Sequence, residues 1–347
     1  MSRIKIFDAT LRDGSHAVNH QITKEQIRDY CLAMDDVGMY TIVVGHGNGL
    51  GASSLQVGLS LLTDHEMLST ARKYLRHTKL GVYMIPGFGT IADQLIPAIE
   101  DGVDLFKIGC HCTEADTTKS HIEYLAKQDK EVYGVLMMYH MASPEKILEE
   151  SFKMQSYGAK GVILMDSSGA STIEMVKSVV SLLCENLSIK VGFHSHNNLS
   201  IAVATMYAAI HEGATIVDGT LAGFGAGAGN CQIEALIALL RKRGIETNTN
   251  FYKILDCVDT VMPKIMKRSV SPDPVSIISG LAGVFSAFKV HVLRAAETFN
   301  VDPKDIFMEV GKRKAVGGQE DIIIEVAQKL RQRNFQREEN YQIEALL

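Results

Sequence analysis

No pair of cysteines in this chain has CxxC spacing, and the six that occur (Cys31, Cys110, Cys112, Cys184, Cys231 and Cys257) are scattered over 347 residues. That excludes a zinc ribbon or a disulfide scaffold and leaves reduced, mostly buried thiols. No apolar run approaches the ~18 residues of a membrane span. Met1 leads straight into an apolar strand at Ile4 with no leader pattern, so a cytoplasmic protein without a membrane segment is expected. Charge of one sign is also missing: 35 Lys and Arg stand against 40 Asp and Glu. Neither nucleic acid nor anionic lipid is then an expected partner. After the first strand, where a dinucleotide fold needs a glycine fingerprint, stands Asp8-Ala9-Thr10-Leu11-Arg12 instead.

What the chain has is 46% hydrophobic and 22% charged residues, an ordinary globular balance. It also has a repeated pattern. Short apolar or β-branched runs begin near Ile4, Thr41, Leu80, Asp104, Glu131, Gly161, Lys190 and Thr215. Each ends in polar or glycine residues and is followed by an amphipathic helical stretch, at roughly the 30-residue spacing of a βα unit. Thr23 with Gln26, and Ser171 with Glu174, read as capping boxes; Ser143-Pro144 reads as an N-cap with a proline at the first helical position. Eight such units, with strands apolar on both faces, predict a (β/α)8 TIM barrel over residues 1–245. The pattern then turns wholly helical, which predicts an all-helical C-terminal domain over 246–330. Residues 331–347 read as a polar tail open to disorder.

In a barrel of this kind chemistry sits where the strands end. Those tips carry Arg12, Asp13 and His16 after the first strand, His46 after the second, His111 and Cys112 after the fourth, Ser167 after the sixth, and His194 and His196 on the seventh. His194 and His196 are two apart on a strand, so both project to one face. With Asp13 from another tip they form a donor set for a divalent metal. An Arg-Asp dipeptide in a loop is also a common surface ion pair. Here, however, Arg12, Asp13 and His16 together supply a fixed cation, a ligand and a group titrating near neutrality. His46 and His111 read as hydrogen-bonding or pocket-lining side chains, and Cys110 and Cys112 as lining rather than nucleophilic thiols. Met84, Met137 and Met138 fall near strand tips as apolar lining. The glycine-rich stretch Gly219–Gly229 lacks a P-loop lysine and reads as a close-approach loop that brings Asn230 to the metal shell.

The motifs FDATLRDGSHA, GHGNGLGASS, HCTEAD, LMMYHMA, MDSSGA, GFHSHNNLSIAVA, DGTLAGFGAGAGN and RKAVGGQED, in that order, strongly resemble the 4-hydroxy-2-oxovalerate aldolase family, the pyruvate-aldolase branch of the metal-dependent TIM-barrel lyases. The resemblance implies retro-aldol cleavage of a 4-hydroxy-2-oxoacid to pyruvate and an aldehyde. It implies Mn²⁺, or Mg²⁺ less effectively, on Asp13, His194 and His196. It assigns enolate stabilisation to Arg12, removal of the C4 hydroxyl proton to His16 and a hold on the substrate carboxylate to Ser167. It further implies oligomers, and an acylating acetaldehyde dehydrogenase as a partner at the helical domain. Two positions depart from the family pattern: Phe285 stands where a tyrosine is usual, and Tyr139 adds a phenol at the fifth strand tip. Tyr139 is therefore expected either to replace the missing hydroxyl in part or, with Phe285, to reshape the aldehyde pocket. An acyl-CoA-using Claisen enzyme of the same superfamily shares the RDG and H-x-H motifs, and a non-catalytic partner subunit is the reading from another class.

Overall fold

Every apolar run becomes a strand within a residue of its expected start. In the computed structural model, which describes residues 4–344, these are β1 (Lys5–Asp8), β2 (Thr41–Val43), β3 (Lys79–Met84), β4 (Leu105–His111), β5 (Glu131–Met137), β6 (Gly161–Asp166), β7 (Lys190–Ser195) and β8 (Ile216–Gly219). All neighbours pair in parallel, and β1 pairs with both β2 and β8, so Phe7 lies between Thr41 and Asp218 in a closed barrel. The intervening helices are α1 (Lys24–Met34), α2 (Asp64–Tyr74), α3 (Ile96–Glu100), α4 (Lys119–Lys127), α5 (Pro144–Ser156), α6 (Ile173–Asn186), α7 (Ala202–His211) and α8 (Ile233–Lys242).

Strand alternation sorts the side chains into two layers. Phe7, Tyr83, Leu105, Tyr133, Ile163 and Ile216 fill the barrel interior. Their outward neighbours, such as Ile6, Val82, Phe106 and Phe193, pack beneath the helices. Each fully buried side chain of this size is worth about 1.5–3 kcal/mol, against at most about 1 for an exposed ion pair, so these layers carry the stability. At the amino ends of the strands Glu131 accepts hydrogen bonds from Lys5 Nζ (3.0 Å), Tyr40 Oη (2.6 Å), Lys79 and Tyr133. This cluster closes one end of the barrel and leaves the other for chemistry.

Thr23 and Gln26 form the expected capping box, and Ser143 caps α5. The cap of α6 is one residue later than the sequence suggested. Thr172 accepts from the Met175 amide, while Ser171 is buried with its hydroxyl on Tyr139 Oη at 2.6 Å.

Among the described residues six α-helices follow: α9 (Phe251–Thr260), α10 (Met262–Ile265), α11 (Pro274–Ala282), α12 (Lys289–Phe299), α13 (Pro303–Lys312) and α14 (Asp321–Glu344). The expected boundary at residue 245 is displaced by packing. Ile254, Cys257, Met262 and Ile265 bury into the barrel's outer core, with α9 against α1 and α8. Only α11 to α14 share a separate core, around Phe288, Val292, Phe307 and Ile323. Where a polar tail was expected from residue 331, α14 continues to Glu344; residues 345–347 of that expected tail lie outside the described residues. Among the described residues no helix is long and apolar enough to cross a membrane.

Candidate active site

At the carboxyl ends of β1 and β7 the structure brings together Asp13, His194 and His196. All three are buried, each offering a ligand atom, and these atoms lie within 4.8 Å of one another. His194 faces the interior because its neighbour Phe193 faces the helices. Both ring nitrogens of His194 and Nδ1 of His196 are buried without a hydrogen-bond partner. Buried polar atoms left open in this way are rare and costly. With one carboxylate and two imidazoles they fit a divalent cation.

Asp13 is held from both sides. Its Oδ1 accepts from Arg12 Nη1 at 2.8 Å; its Oδ2 accepts from Asn230 Nδ2 at 2.6 Å and from the Ala226 amide at 3.2 Å. Burial works against its charge, yet Arg12 and the surrounding imidazoles keep it well below the usual carboxylate range. The glycine-rich loop makes this possible, as expected. A Cβ on Gly225 would overlap both Asn230 Nδ2 and Asp13 Oδ2. Arg12 Nη1 also donates to the Gly47 carbonyl at 3.1 Å, and the guanidinium lies over the Tyr83 ring, 5.0 Å from its centre. Its Nε and Nη2 are buried and unpartnered. Two donors of a fixed cation thus remain available for an anionic group.

His16 is half-buried on the 3-10 turn Asp13–Val18 and belongs to a group of three imidazoles. Its ring centre is 4.9 Å from that of His20, and His20 stacks on His46 at 3.6 Å. His46 is thus a packing and hydrogen-bonding residue, as its position suggested; His20 had not been singled out. Burial lowers His16 to about 4 against the opposing pull of Asp13. Burial also lowers His46 to about 4, and burial with the two neighbouring imidazoles lowers His20 to about 2. Unfolded imidazoles titrate near 6.5. Between that value and about 4 the unfolded chain binds more protons, so stability present above pH 6.5 is lost as the pH falls, by up to about 1.4 kcal/mol per pH unit for each group. The urea midpoint of the metal-free protein is therefore expected to be lower at pH 4.5 than at pH 7; equal midpoints would contradict this electrostatic picture.

The other sequence candidates divide. Ser167 is buried at the β6 tip, its Oγ accepting from the Met138 amide at 3.3 Å and its carbonyl accepting from the Ser286 amide at 3.0 Å. Tyr139 does not join the cluster. It is buried in the outer layer, with its ring edge-on to Phe193 and its hydroxyl on Ser171, because it packs on the face of β7 opposite His194. The expectation that this phenol replaces a missing hydroxyl in the site is therefore not met. Phe285 packs edge-on against Phe288 in the core of the C-terminal helices, and the residue after it bonds to Ser167. His111 bonds Thr113 at 2.9 Å. Burial pushes the Cys110 thiol above its ordinary range and that of Cys112 up to about 12, as suits lining residues. Met84 packs in the outer layer and Met137 in the interior. Sequence reasoning passed over Lys107 and Asp218, which are fully buried and paired to each other below the triad. Single charges inside the apolar runs LFKIG and TIVDGT were the available signal.

The HMGL-like family model matches residues 3–261, and that of the DmpG-like communication domain matches 270–332. The chain is 49% identical to the 4-hydroxy-2-oxovalerate aldolase of Pectobacterium atrosepticum, over 96% of this chain and 97% of that one. It is 48% identical to the enzyme of the same name from Spirochaeta aurantia, over 95% and 97%. Among solved structures, the carboxyl transferase domain of Rhizobium etli pyruvate carboxylase matches with a TM-score of 0.80 at 13% identity, covering 95% of this chain and 61% of that one. The Brucella melitensis HMG-CoA lyase matches at 0.67 and 14% identity, covering 77% and 100%. At such identities these two structures speak for the fold alone.

Proposed function

This chain belongs to the HMGL-like family and, within it, to the 4-hydroxy-2-oxovalerate aldolases, and we propose from that premise that it cleaves a 4-hydroxy-2-oxoacid such as 4-hydroxy-2-oxopentanoate into pyruvate and an aldehyde. The observation that carries the reading is the joint presence, at one barrel mouth, of the Asp13, His194 and His196 donor set and a buried guanidinium with two unused donors. Asp13, His194 and His196 would hold a divalent ion, Mn²⁺ in our reading with Mg²⁺ as a substitute, which when bound supplies Lewis-acid polarisation of the 2-keto group.

The remaining work falls to the chain's own side chains. Arg12 aims Nε and Nη2 at the oxygen on which negative charge develops as C3–C4 breaks; such preorganised donors are typically worth about 10²–10³ in rate each. Ser167 binds the substrate carboxylate. His16, neutral at pH 7 because burial holds it near 4, takes the proton of the C4 hydroxyl as the aldehyde carbonyl forms. The electron pair of the broken bond becomes the enolate, which is protonated at C3 to give pyruvate. No Schiff-base lysine is needed.

His16→Ala is expected to lower kcat for pyruvate release by about 10²–10⁴-fold. In the wild type the base must be unprotonated, so kcat/KM is expected to fall as the pH drops through about 4. A His16→Ala enzyme with unaltered rate would remove this role.

The helices from α11 onward form a partner-binding unit, consistent with the communication-domain match. Its partner is an acylating aldehyde dehydrogenase that consumes the reactive product. An assay of pyruvate release from 4-hydroxy-2-oxoacids, run beside one for thiol release from acetyl-CoA, separates the proposed lyase from a Claisen enzyme. Activity in the first and none in the second is expected; the reverse overturns the proposal.

A further inference from the structure

Beneath the metal triad lies a buried ion pair that the chemistry above leaves unused. Lys107 on β4 and Asp218 on β8 are both fully buried, and Lys107 Nζ donates to Asp218 Oδ2. Two isolated charges in a barrel interior are costly to desolvate, and a hydrophobic pair of similar volume is often as stable or more so. A packing role alone therefore explains the pair poorly. Its position suggests another. Asp218 Oδ2 is 3.4 Å from His194 Nδ1, and Asp218 faces His194 in the β7–β8 register. Asp218 Oδ1 and His194 Nδ1 are each buried without a hydrogen-bond partner.

We propose that Asp218, anchored by Lys107, is a positioning residue for the metal site: it accepts the Nδ1 proton of His194 and so fixes the tautomer that leaves Nε2 free as the ligand. The inference rests on the metal-dependent reading above. A carboxylate behind a metal-binding imidazole fixes its orientation and makes it a stronger donor, and loss of such a partner typically weakens metal affinity by about 10–100-fold. Lys107 holds the carboxylate in place by donating to Oδ2, the same oxygen that faces His194. It also lies under Tyr83, with Nζ 5.9 Å from the ring centre, and that same ring supports Arg12. The pair thus underlies both the metal ligand and the enolate-stabilising cation.

The test is Mn²⁺ affinity of the full chain, read by the EPR signal of free Mn²⁺, with circular dichroism to verify folding. Asp218→Asn is expected to weaken Mn²⁺ binding by about 10–100-fold, while Lys107→Met, which keeps the carboxylate but removes its anchor, is expected to lose clearly less affinity than Asp218→Asn. Asp218→Asn leaves an unpaired lysine and is at risk of misfolding. The double variant Lys107→Met with Asp218→Asn removes that risk and is expected to show the same 10–100-fold loss. A folded double variant that binds Mn²⁺ as tightly as wild type would overturn the inference. So would a folded Lys107→Met that loses as much affinity as the double variant, since both would then report only the ion pair. Wild-type protein that binds no Mn²⁺ would instead count against the metal reading itself.

Discussion

Replacing Asp13 by alanine is expected to lower kcat/KM for pyruvate release by about 10³-fold or more, the loss of several kcal/mol of transition-state stabilisation. Asp13 is the single carboxylate of the triad, and two imidazoles alone make a weak and unselective site for a hard divalent ion. The change also removes one acceptor from each of two partners: Arg12 Nη1 and Asn230 Nδ2, at 2.8 and 2.6 Å from the carboxylate, keep only the backbone carbonyls of Gly47 and Phe224. Asp13→Asn is the sharper version. It keeps the volume but presents an amide to donors on both sides, so Mn²⁺ affinity and rate should fall together while the circular dichroism spectrum stays native. A folded Asp13→Asn enzyme with wild-type affinity would mean that the ligand set lies elsewhere.

The second large effect concerns Arg12. Arg12→Lys is expected to lower kcat by about 10²–10³-fold with little change in KM or in Mn²⁺ affinity. Lysine keeps the charge but not the planar fork. The guanidinium here spends Nη1 on Asp13 and the Gly47 carbonyl and lies over Tyr83, leaving Nε and Nη2 for the reacting oxygen. An ammonium cannot serve both sides at once. Because the interaction is formed with charge that appears only in the transition state, its loss should register in kcat. A fall confined to KM would recast Arg12 as a binding residue.

Much of this site could be read from the sequence because its signals are local. Strand periodicity and helix caps fixed the barrel to within a residue per strand, and the two-residue spacing of His194 and His196 placed both imidazoles on the interior face. Asn230 was anticipated near the metal shell because the glycine-rich run before it demanded a close backbone approach, and the structure puts it on Asp13. What escaped depended on pairings between distant strands. Lys107 and Asp218 are unremarked single charges until β4 and β8 face each other across the barrel. His20 joins the cluster only because the turn after β1, with positive φ at Asn19 and His20, folds it back onto His46. Tyr139 was expected in the site because it departs from the family pattern at the fifth strand tip, but its side chain turns to the helix layer, where its hydroxyl pairs with that of Ser171. The displaced domain boundary has the same origin: α9 reads as helical in either setting, and only contact with α1 and α8 assigns it to the barrel.

If Asp13, His194 and His196 hold the ion that drives cleavage, one titration tests the reading directly. Protein stripped of metal is mixed with 4-hydroxy-2-oxopentanoate, and pyruvate release is followed as Mn²⁺ is added back. Negligible activity without metal, rising to saturation at one Mn²⁺ per chain and absent from the Asp13→Asn variant, is the predicted result. Full pyruvate release from the stripped wild type, or saturable restoration in Asp13→Asn, would contradict it.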